Sequence, residues 1–343
     1  MLDCPHMDAI VLVGGQGTRL RPLTTKRHKS LVPLCNRPAI EYLLAWLERS
    51  GIRRVVLALG QDNEDLAEAF PGGRWGTLQL SIVRERERLE SGGAIRNAVR
   101  SEGIEGRFLV LNGDVFVDFD LRAALAAHEE AQAELTLALY EVPDPSPFGV
   151  AVLDDKQMVT GFVEKPPPGT APSNLVNAGV WIFEPHLVDE IPQGAVRVEE
   201  TLFPSLVGRR RRVLGCVFDG LWADIGTPQR YLALNRALLA SASCPAPSAK
   251  VAEDATIEAS AIGPGCEVAP GASISDSVLW ENVTVCEGAH ISSSIVANGT
   301  VIGPGAVVEQ AVVGAGVTIS AGARVPAGTS LDAGARYDAP NEG

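Results

Sequence analysis

From residue 251 onward, aliphatic side chains fall at Ile257, Ile262, Val268, Ile274, Leu279, Val285, Ile291, Val296, Ile302, Val308, Val313, Ile319 and Val325, so the spacing runs 5, 6, 6 and repeats four times. A 17-residue period of three short sides predicts one coil per period, each side a strand of a few residues with one aliphatic side chain pointing inward. Small residues stand four positions after most of these anchors, at Cys266, Ala272, Ala289, Thr300, Ala306 and Ala323. There the chain has to turn a corner without crowding the interior. The first 240 residues follow a different pattern. Apolar runs at 9–13, 55–59, 78–83, 108–111, 135–140, 150–153, 180–183 and 213–218 alternate with helical spacing near 39–50, 65–70, 93–100, 121–131, 199–207 and 228–239. That alternation predicts an α/β fold, a doubly wound and mostly parallel sheet covered on both faces. In such sheets ligands bind beyond the carboxyl ends of the strands.

The predicted organisation is an α/β domain over 1–240, a small, Pro-containing linker over 241–250, the coiled domain over 251–330 and an aperiodic tail over 331–343. With 343 residues, 46% hydrophobic and 21% charged, the chain is neither disordered nor collagen-like. Its 35 glycines, 23 prolines and 5% aromatics are a bias that the coils concentrate: residues 251–330 hold one base, Arg324, and one aromatic residue, Trp280. A net charge of −13 repels a polyanion over most of the surface and argues against non-specific nucleic-acid binding. Most of that charge lies in the coils, where eight acids face one base, so the α/β half can still concentrate cations at one cleft. The six cysteines form no CxxC pair, which argues against a zinc site or a disulfide framework. No stretch approaches a membrane span, and residues 1–6 lack the features of a signal peptide, so a cytoplasmic protein without a membrane partner is expected.

The chemistry gathers in the loops. GGQGTRLRPLT, residues 14–24, follows the first predicted strand and leads to Lys26, Arg27, His28 and Lys29. Gly14, Gly15 and Gly17 let backbone N–H groups approach a polyanion, and Arg19 and Lys29 add fixed positive charge. The run is neither a Walker loop nor a dinucleotide fingerprint, because Gly-Lys-Ser/Thr is absent and Leu20 replaces the third glycine. Asp114 follows the apolar run 108–111 and its turn glycine, Gly113, where a carboxylate can hold Mg²⁺ against a triphosphate. Asp118 and Asp120 read as a solvated loop and a helix cap. FVEKP (162–166), NAGVWIFEP (177–185) and DGLWADIGTPQRY (219–231) each place polar groups at the border of an apolar run, and Asp224 is a second candidate ligand for Mg²⁺.

Together these runs resemble the sugar-1-phosphate nucleotidyltransferases, and the likeness covers nearly the whole chain, since many members carry a hexapeptide-repeat left-handed parallel β-helix after the catalytic domain. The resemblance implies a Rossmann-like, GT-A-like mixed sheet followed by that β-helix. It also implies a nucleotide site built from Gly14, Gly15, Gly17, Thr18, Leu89, Gly92 and Gly93, with Arg19 and Lys29 on the phosphates. Glu164, Asn177 and Gly179 would bind sugar, Lys165 the sugar phosphate, and Asp114 and Asp224 the metal. The implied reaction has a sugar-1-phosphate oxygen attack the α-phosphorus of a nucleoside triphosphate and expel pyrophosphate. Positioning and positive charge would carry it, without a protein nucleophile. KSLVPLCNRPAIEYLLAWL (29–47) is similar to mannose-1-phosphate guanylyltransferases, whereas thymidylyltransferases usually have Gln where Ser30 stands. Residues 89–93 read LESGG where the family commonly has LGTAG or LGTGG, and Glu-containing versions occur in uridylyltransferases, so uridylyl or thymidylyl transfer stands as an alternative.

Two further readings remain. Hexapeptide β-helices also form acyltransferases in which a histidine activates the acceptor, and His290 fits that role, but no long loop interrupts the repeat to hold coenzyme A. A non-catalytic regulatory homologue would have lost Arg19, Lys29, Asp114 or Asp224, and all four are present. The run 209–212, four arginines entering a strand, reads as a solvated edge rather than an effector site. The flat faces of the coils suit a homo-oligomer.

Overall fold

The computed structural model describes residues 7–61 and 64–339, so Cys4, the expectation for residues 1–6 and the end of the tail lie outside the described residues. Two compact units emerge, Met1–Gly15 with Ile40–Trp222 and Gln16–Ala39 with Ala223–Gly343.

The first unit is built on a ten-stranded sheet. At its centre Asp8–Val13 runs parallel to Arg54–Leu59 on one side and to Phe108–Asn112 on the other, with Ile10 opposite both Val56 and Val110. Leu78–Arg84 extends this parallel half. Beyond Phe108–Asn112 the direction changes: Leu175–Phe183 runs antiparallel to it and to Leu135–Glu141, and Gly149–Leu153 and Val159–Glu164 form an antiparallel hairpin. The expectation of a mostly parallel sheet therefore holds for only half of it. A strand buried on both faces reads as an apolar run whichever way it points, so direction is not encoded in the pattern. The helices Glu90–Glu102 and Leu202–Gly208 cover the sheet. Ile10, Val56, Ile95, Val110, Trp181, Phe183 and Phe203 belong to one buried core, in which Trp181 meets Phe203 edge-on at 5.2 Å. Because Asp8–Val13 and Phe108–Asn112 are parallel, with Leu12 opposite Asn112, their carboxyl ends open side by side. Gly113 N donates to Leu12 O at 2.9 Å and fixes the two loops that follow.

In the second unit the periodic segment forms a three-sided parallel β-helix with sheets of six, six and five short strands. Ile257, Ile274, Ile291, Val308 and Val325 stack in successive coils, as the 17-residue period requires. The last step widens to 18, pairing Val313 with Leu331 and Ile319 with Tyr337. Cys244–Pro245 and Lys250–Val251 already pair with the next coil, so the β-helix begins inside the segment expected as a linker, and Arg336–Tyr337 carries it into the tail. Terminal coils have a neighbour on one side only and tolerate weaker anchors such as Pro245, which hides them from an apolar count.

The corners are of two kinds. Gly265, Gly271, Gly288, Gly299, Gly305, Gly316 and Gly322 turn two of them in left-handed backbone, which accounts for much of the glycine surplus. The third corner uses Ala259, Asp276, Ser293 and Gln310 at positive φ, the first three each followed by a buried serine. Ser277 N donates to Ser260 Oγ at 3.0 Å, Ser294 N to Ser277 Oγ at 3.0 Å, and Ala311 N to Ser294 Oγ at 3.1 Å. This ladder of hydroxyls satisfies backbone groups that would otherwise be buried without a partner.

Candidate active site

The sequence-predicted residues fall on both units, and each set is organised locally. In the second unit, Arg19 and Lys29 stand in two short 3₁₀ turns, Thr18–Leu20 and Lys29–Leu31. Gly17 joins them: its φ of +60° starts the first turn, and a Cβ there would lie 3.0 Å from Lys29 Cβ. Thr24 Oγ1 donates to Gly17 O at 2.8 Å and closes the loop on itself. Arg19 and Thr18 are exposed, whereas Lys29 is half-buried. Gly226 brings Asp224 to Arg19, because a Cβ at Gly226 would sit 2.7 Å from Asp224 Oδ2 and 3.1 Å from Arg19 Nη2. Asp224 also receives Arg230 Nη1 at 2.7 Å, so a cation binding there has to share this carboxylate with a guanidinium.

In the first unit, Gly14 and Gly15 follow the central strand and are exposed, and Asp114 stands half-buried in the adjacent loop. Asp114 offers hard oxygen donors, the donor type that a divalent cation between phosphates requires. No cluster of three or more metal-ligating side chains occurs among the described residues. Asp118 is exposed beside Arg49, and Asp120 caps the helix Leu121–Glu130 by accepting from Arg122 N at 2.9 Å.

Leu89 caps the helix Glu90–Glu102, while Gly92 and Gly93 are buried against residues 191–196: Gly92 N donates to Val196 O at 2.8 Å, and a Cβ at Gly93 would lie 2.8 Å from Gly194 O. These two glycines have a packing reason to be small, and Leu89 is the more accessible of the three. Glu164 ends its strand and holds Lys165 Nζ at 3.1 Å, with Lys165 itself in left-handed backbone and half exposed. Asn177 Oδ1 accepts from Gly179 N at 3.1 Å and from Trp181 Nε1 at 2.7 Å, so the side chain's amide donors are what it offers a ligand.

Three features of this region escaped the sequence. Glu85 is buried beneath the first loop, its Oε2 accepting from Leu89 N at 3.0 Å and its Oε1 3.3 Å from where a Gly14 Cβ would stand. Burial pushes its carboxyl upward. Glu199 accepts from Ser91 Oγ at 2.6 Å, and burial, with Glu164 adding to it, raises its pKa too. Trp222 donates its indole N–H to Ala178 O at 2.9 Å and packs on Phe148 and Tyr140, an aromatic wall beside Asn177 and Lys165. Apart from the bond of Glu85 to Leu89, these are contacts between distant segments, and the signal in the sequence was a polar or aromatic residue at the edge of an apolar run. The arginine run 209–212 is an ion-pair edge: Arg209 pairs with Glu190, Arg211 with Glu134 and Glu190, and Arg212 donates to Gln132 O. His290 is paired with Ser273 Oγ at 2.6 Å on the outside of a coil.

A mixed α/β sheet with a Gly-rich loop after its central parallel strand is followed in the chain by a β-helix. The nucleotidyl transferase family profile matches residues 8–241, and the EIF2B subunit epsilon LbH domain, a left-handed β-helix, matches residues 232–329. The chain belongs to the nucleotidyl transferase family. It is 36% identical over 229 residues to mannose-1-phosphate guanylyltransferase of Mycobacterium tuberculosis, covering 66% of this chain and 63% of that protein. It is 34% identical over 250 residues to probable mannose-1-phosphate guanylyltransferase 2 of Arabidopsis thaliana, covering 71% and 68%. The catalytic subunit beta of mannose-1-phosphate guanylyltransferase from Danio rerio shares 35% over 231 residues, covering 66% and 63%. The chain thus spans less than two thirds of two of these three relatives. In fold it is similar to the crystal structure of HddC from Yersinia pseudotuberculosis complexed with GMP-PN, with a TM-score of 0.58 and 24% identity over 68% of this chain and 99% of that one.

Proposed function

We propose that the protein transfers a nucleotidyl group from a nucleoside triphosphate to a sugar-1-phosphate, and that the pair is GTP and mannose-1-phosphate. The observation that carries this reading is the likeness to named mannose-1-phosphate guanylyltransferases over 229 to 250 residues, together with the nucleotidyl transferase profile over residues 8–241, the segment that holds every candidate residue from Gly14 to Asp224. The local geometry supports it. Gly14, Gly15, Gly17 and Thr18 follow a parallel strand and have backbone N–H groups to offer, Arg19 stands on a turn that Gly17 starts, and Lys29 stands on a turn capped by His28. In this reading those two cations hold the triphosphate, Leu89 with Gly92 and Gly93 forms the base-side segment, and Lys165 neutralises the sugar phosphate. Glu164, Asn177 and Gly179 orient the hydroxyls of the sugar. The attacking phosphate oxygen is already ionised, so the residues have only to align it with the α-phosphorus and to stabilise charge on the departing pyrophosphate. A divalent cation, Mg²⁺ in our reading, supplies further neutralisation when held by Asp114 and Asp224.

Free thiols at Cys35, Cys216, Cys244, Cys266 and Cys286 agree with a reducing compartment, and we place the enzyme in the cytoplasm, where nucleoside triphosphates are available. Among the described residues no helix is long and apolar enough to cross a membrane. We also propose a homo-oligomer joined through the flat β-helix faces; sedimentation that finds only a monomer overturns this.

The decisive experiment incubates the protein with GTP, UTP, dTTP, ATP or CTP, Mg²⁺ and a panel of sugar-1-phosphates, and follows pyrophosphate. GTP with mannose-1-phosphate is expected to turn over fastest; a faster UTP or dTTP reaction reassigns the base, and silence with every pair ends the enzyme reading. Asp114→Ala is expected to lose at least about 100-fold in kcat with an unchanged circular dichroism spectrum. Near-normal turnover in that variant removes Asp114 from the metal site.

A further inference from the structure

The single aromatic residue of residues 251–330, Trp280, has no place in the coil interior. It follows the inward anchor Leu279, so alternation along the strand sends its indole outward, yet it is only 1% exposed. The equivalent outward positions of neighbouring coils are Gly263, Ala297 and Gly314, all small. Two elements lie against Trp280, the segment that carries Arg19 and Lys29 and the helix Pro228–Leu239. The Arg27 guanidinium lies 4.8 Å above the indole ring and forms a two-pronged ion pair with Glu281, at 2.9 and 3.0 Å. Trp280 Nε1 donates at 3.0 Å to the hydroxyl of fully buried Tyr231, which in turn donates to Pro33 O. Further along the same segment, Asn36 Nδ2 donates to Cys244 O at 2.7 Å and to Ile262 O at 3.1 Å, and Cys35 N to Asn235 Oδ1 at 3.0 Å.

Arg27 precedes Lys29 by two residues and Pro33 follows it by four, so the anchors flank Lys29 on both sides. Gly17 packs on Lys29, which carries the restraint back to the turn that holds Arg19. Bidentate guanidinium–carboxylate pairing and stacking on an indole both fix orientation as well as position. We propose that Trp280, Glu281 and Tyr231 are positioning residues for triphosphate binding: through Arg27 and Pro33 the β-helix holds the 16–39 segment ready-folded, with Arg19 and Lys29 presented to the phosphates. The ordering entropy of that segment is then spent on folding rather than on binding substrate.

The inference rests on the nucleotidyl-transfer reading, and its test reads the segment directly as well as through activity. In the full-length chain Glu281→Gln keeps shape and removes the charge, Tyr231→Phe removes one hydroxyl, and Glu281→Asp is the conservative control. Limited trypsin digestion without substrate is expected to cut within residues 19–29 about tenfold faster in Glu281→Gln and Tyr231→Phe, and less so in Glu281→Asp. The KM for the triphosphate is expected to rise about tenfold in the first two, with the KM for sugar-1-phosphate and the thermal midpoint of Glu281→Gln unchanged. Arg27→Gln combined with Glu281→Gln is expected to be no worse than Arg27→Gln alone. A wild-type protein silent with every triphosphate fails the nucleotidyl-transfer reading. A wild type that turns over beside Glu281→Gln and Tyr231→Phe variants with the same cleavage rate and the same KM values overturns the positioning role.

Discussion

Glu90 occupies left-handed backbone, with a φ of 56°, at the start of the helix Glu90–Glu102. That conformation costs a residue with a Cβ about 1–2 kcal/mol, which gives a physical reason for the glycine that LGTAG carries at this point. Here the cost is offset in part by ion pairs to Arg88 at 2.7 Å and Arg197 at 3.1 Å, both exposed enough to contribute at most about 1 kcal/mol each. Glu90→Gly is therefore expected to hold the thermal midpoint within a degree or two (about 0.5 kcal/mol), whereas Glu90→Val, with a branched Cβ at positive φ, drops it by several degrees. Calorimetry that finds the glycine variant as damaged as the valine one assigns the stability to the ion pairs instead. The departure in LESGG thus carries a backbone cost, and the Glu90 carboxylate is paired with Arg88 and Arg197 of its own unit.

At the scale of elements, two devices hold strands together without apolar surface. The serine ladder supplies an acceptor for one corner N–H per coil, and Ser277→Ala leaves Ser294 N in a buried site without its Oγ partner. A loss of about 1–3 kcal/mol in denaturant unfolding is expected, and an unchanged midpoint means the corner relaxes to find another acceptor. At the sheet edge, the Arg211 guanidinium, with help from His186 and Arg212 N, holds the Glu134 carboxyl down to about 2. A carboxyl depressed in the folded state adds stability at pH values above its unfolded value, and that contribution disappears as pH falls from the usual carboxylate range toward 2. Unfolding free energy should decline over that acid window, and Glu134→Gln should flatten the decline; parallel curves for the two proteins refute the assignment. The same edge explains why 209–212 looked like a solvated basic run: its acidic partners, Glu134 and Glu190, lie in other elements.

Across the whole molecule, legibility followed the range of the interaction. The coil period was plain because each side must send one aliphatic side chain inward, and the turn after the first strand because left-handed backbone at Gly17 favours glycine. Asp120 was readable as a cap because its partners are two and three residues away. Strand direction in the second half of the sheet, the buried Glu85 and Glu199, and the pairing of Arg27 with Glu281 across 254 positions were not, since no local pattern records which surfaces meet. Trp280 was visible as an oddity of composition; only its partners give it a meaning.

The 17-residue register also bears on how such a chain can change length. A coil is a self-contained unit whose duplication preserves every stacked pair, so whole coils are interchangeable parts wherever nothing outside the stack depends on their number. Asn36 is bonded at Cys244 and Ile262, and Arg27 at Glu281, which makes the interval between Ile262 and Trp280 a ruler of fixed length. Inserting a consensus coil after Val296 should give a folded, active protein, while the same insertion after Gly263 should fold yet withdraw Glu281 from Arg27 and weaken triphosphate binding. Growth and shortening of the repeat are thereby confined to its distal end.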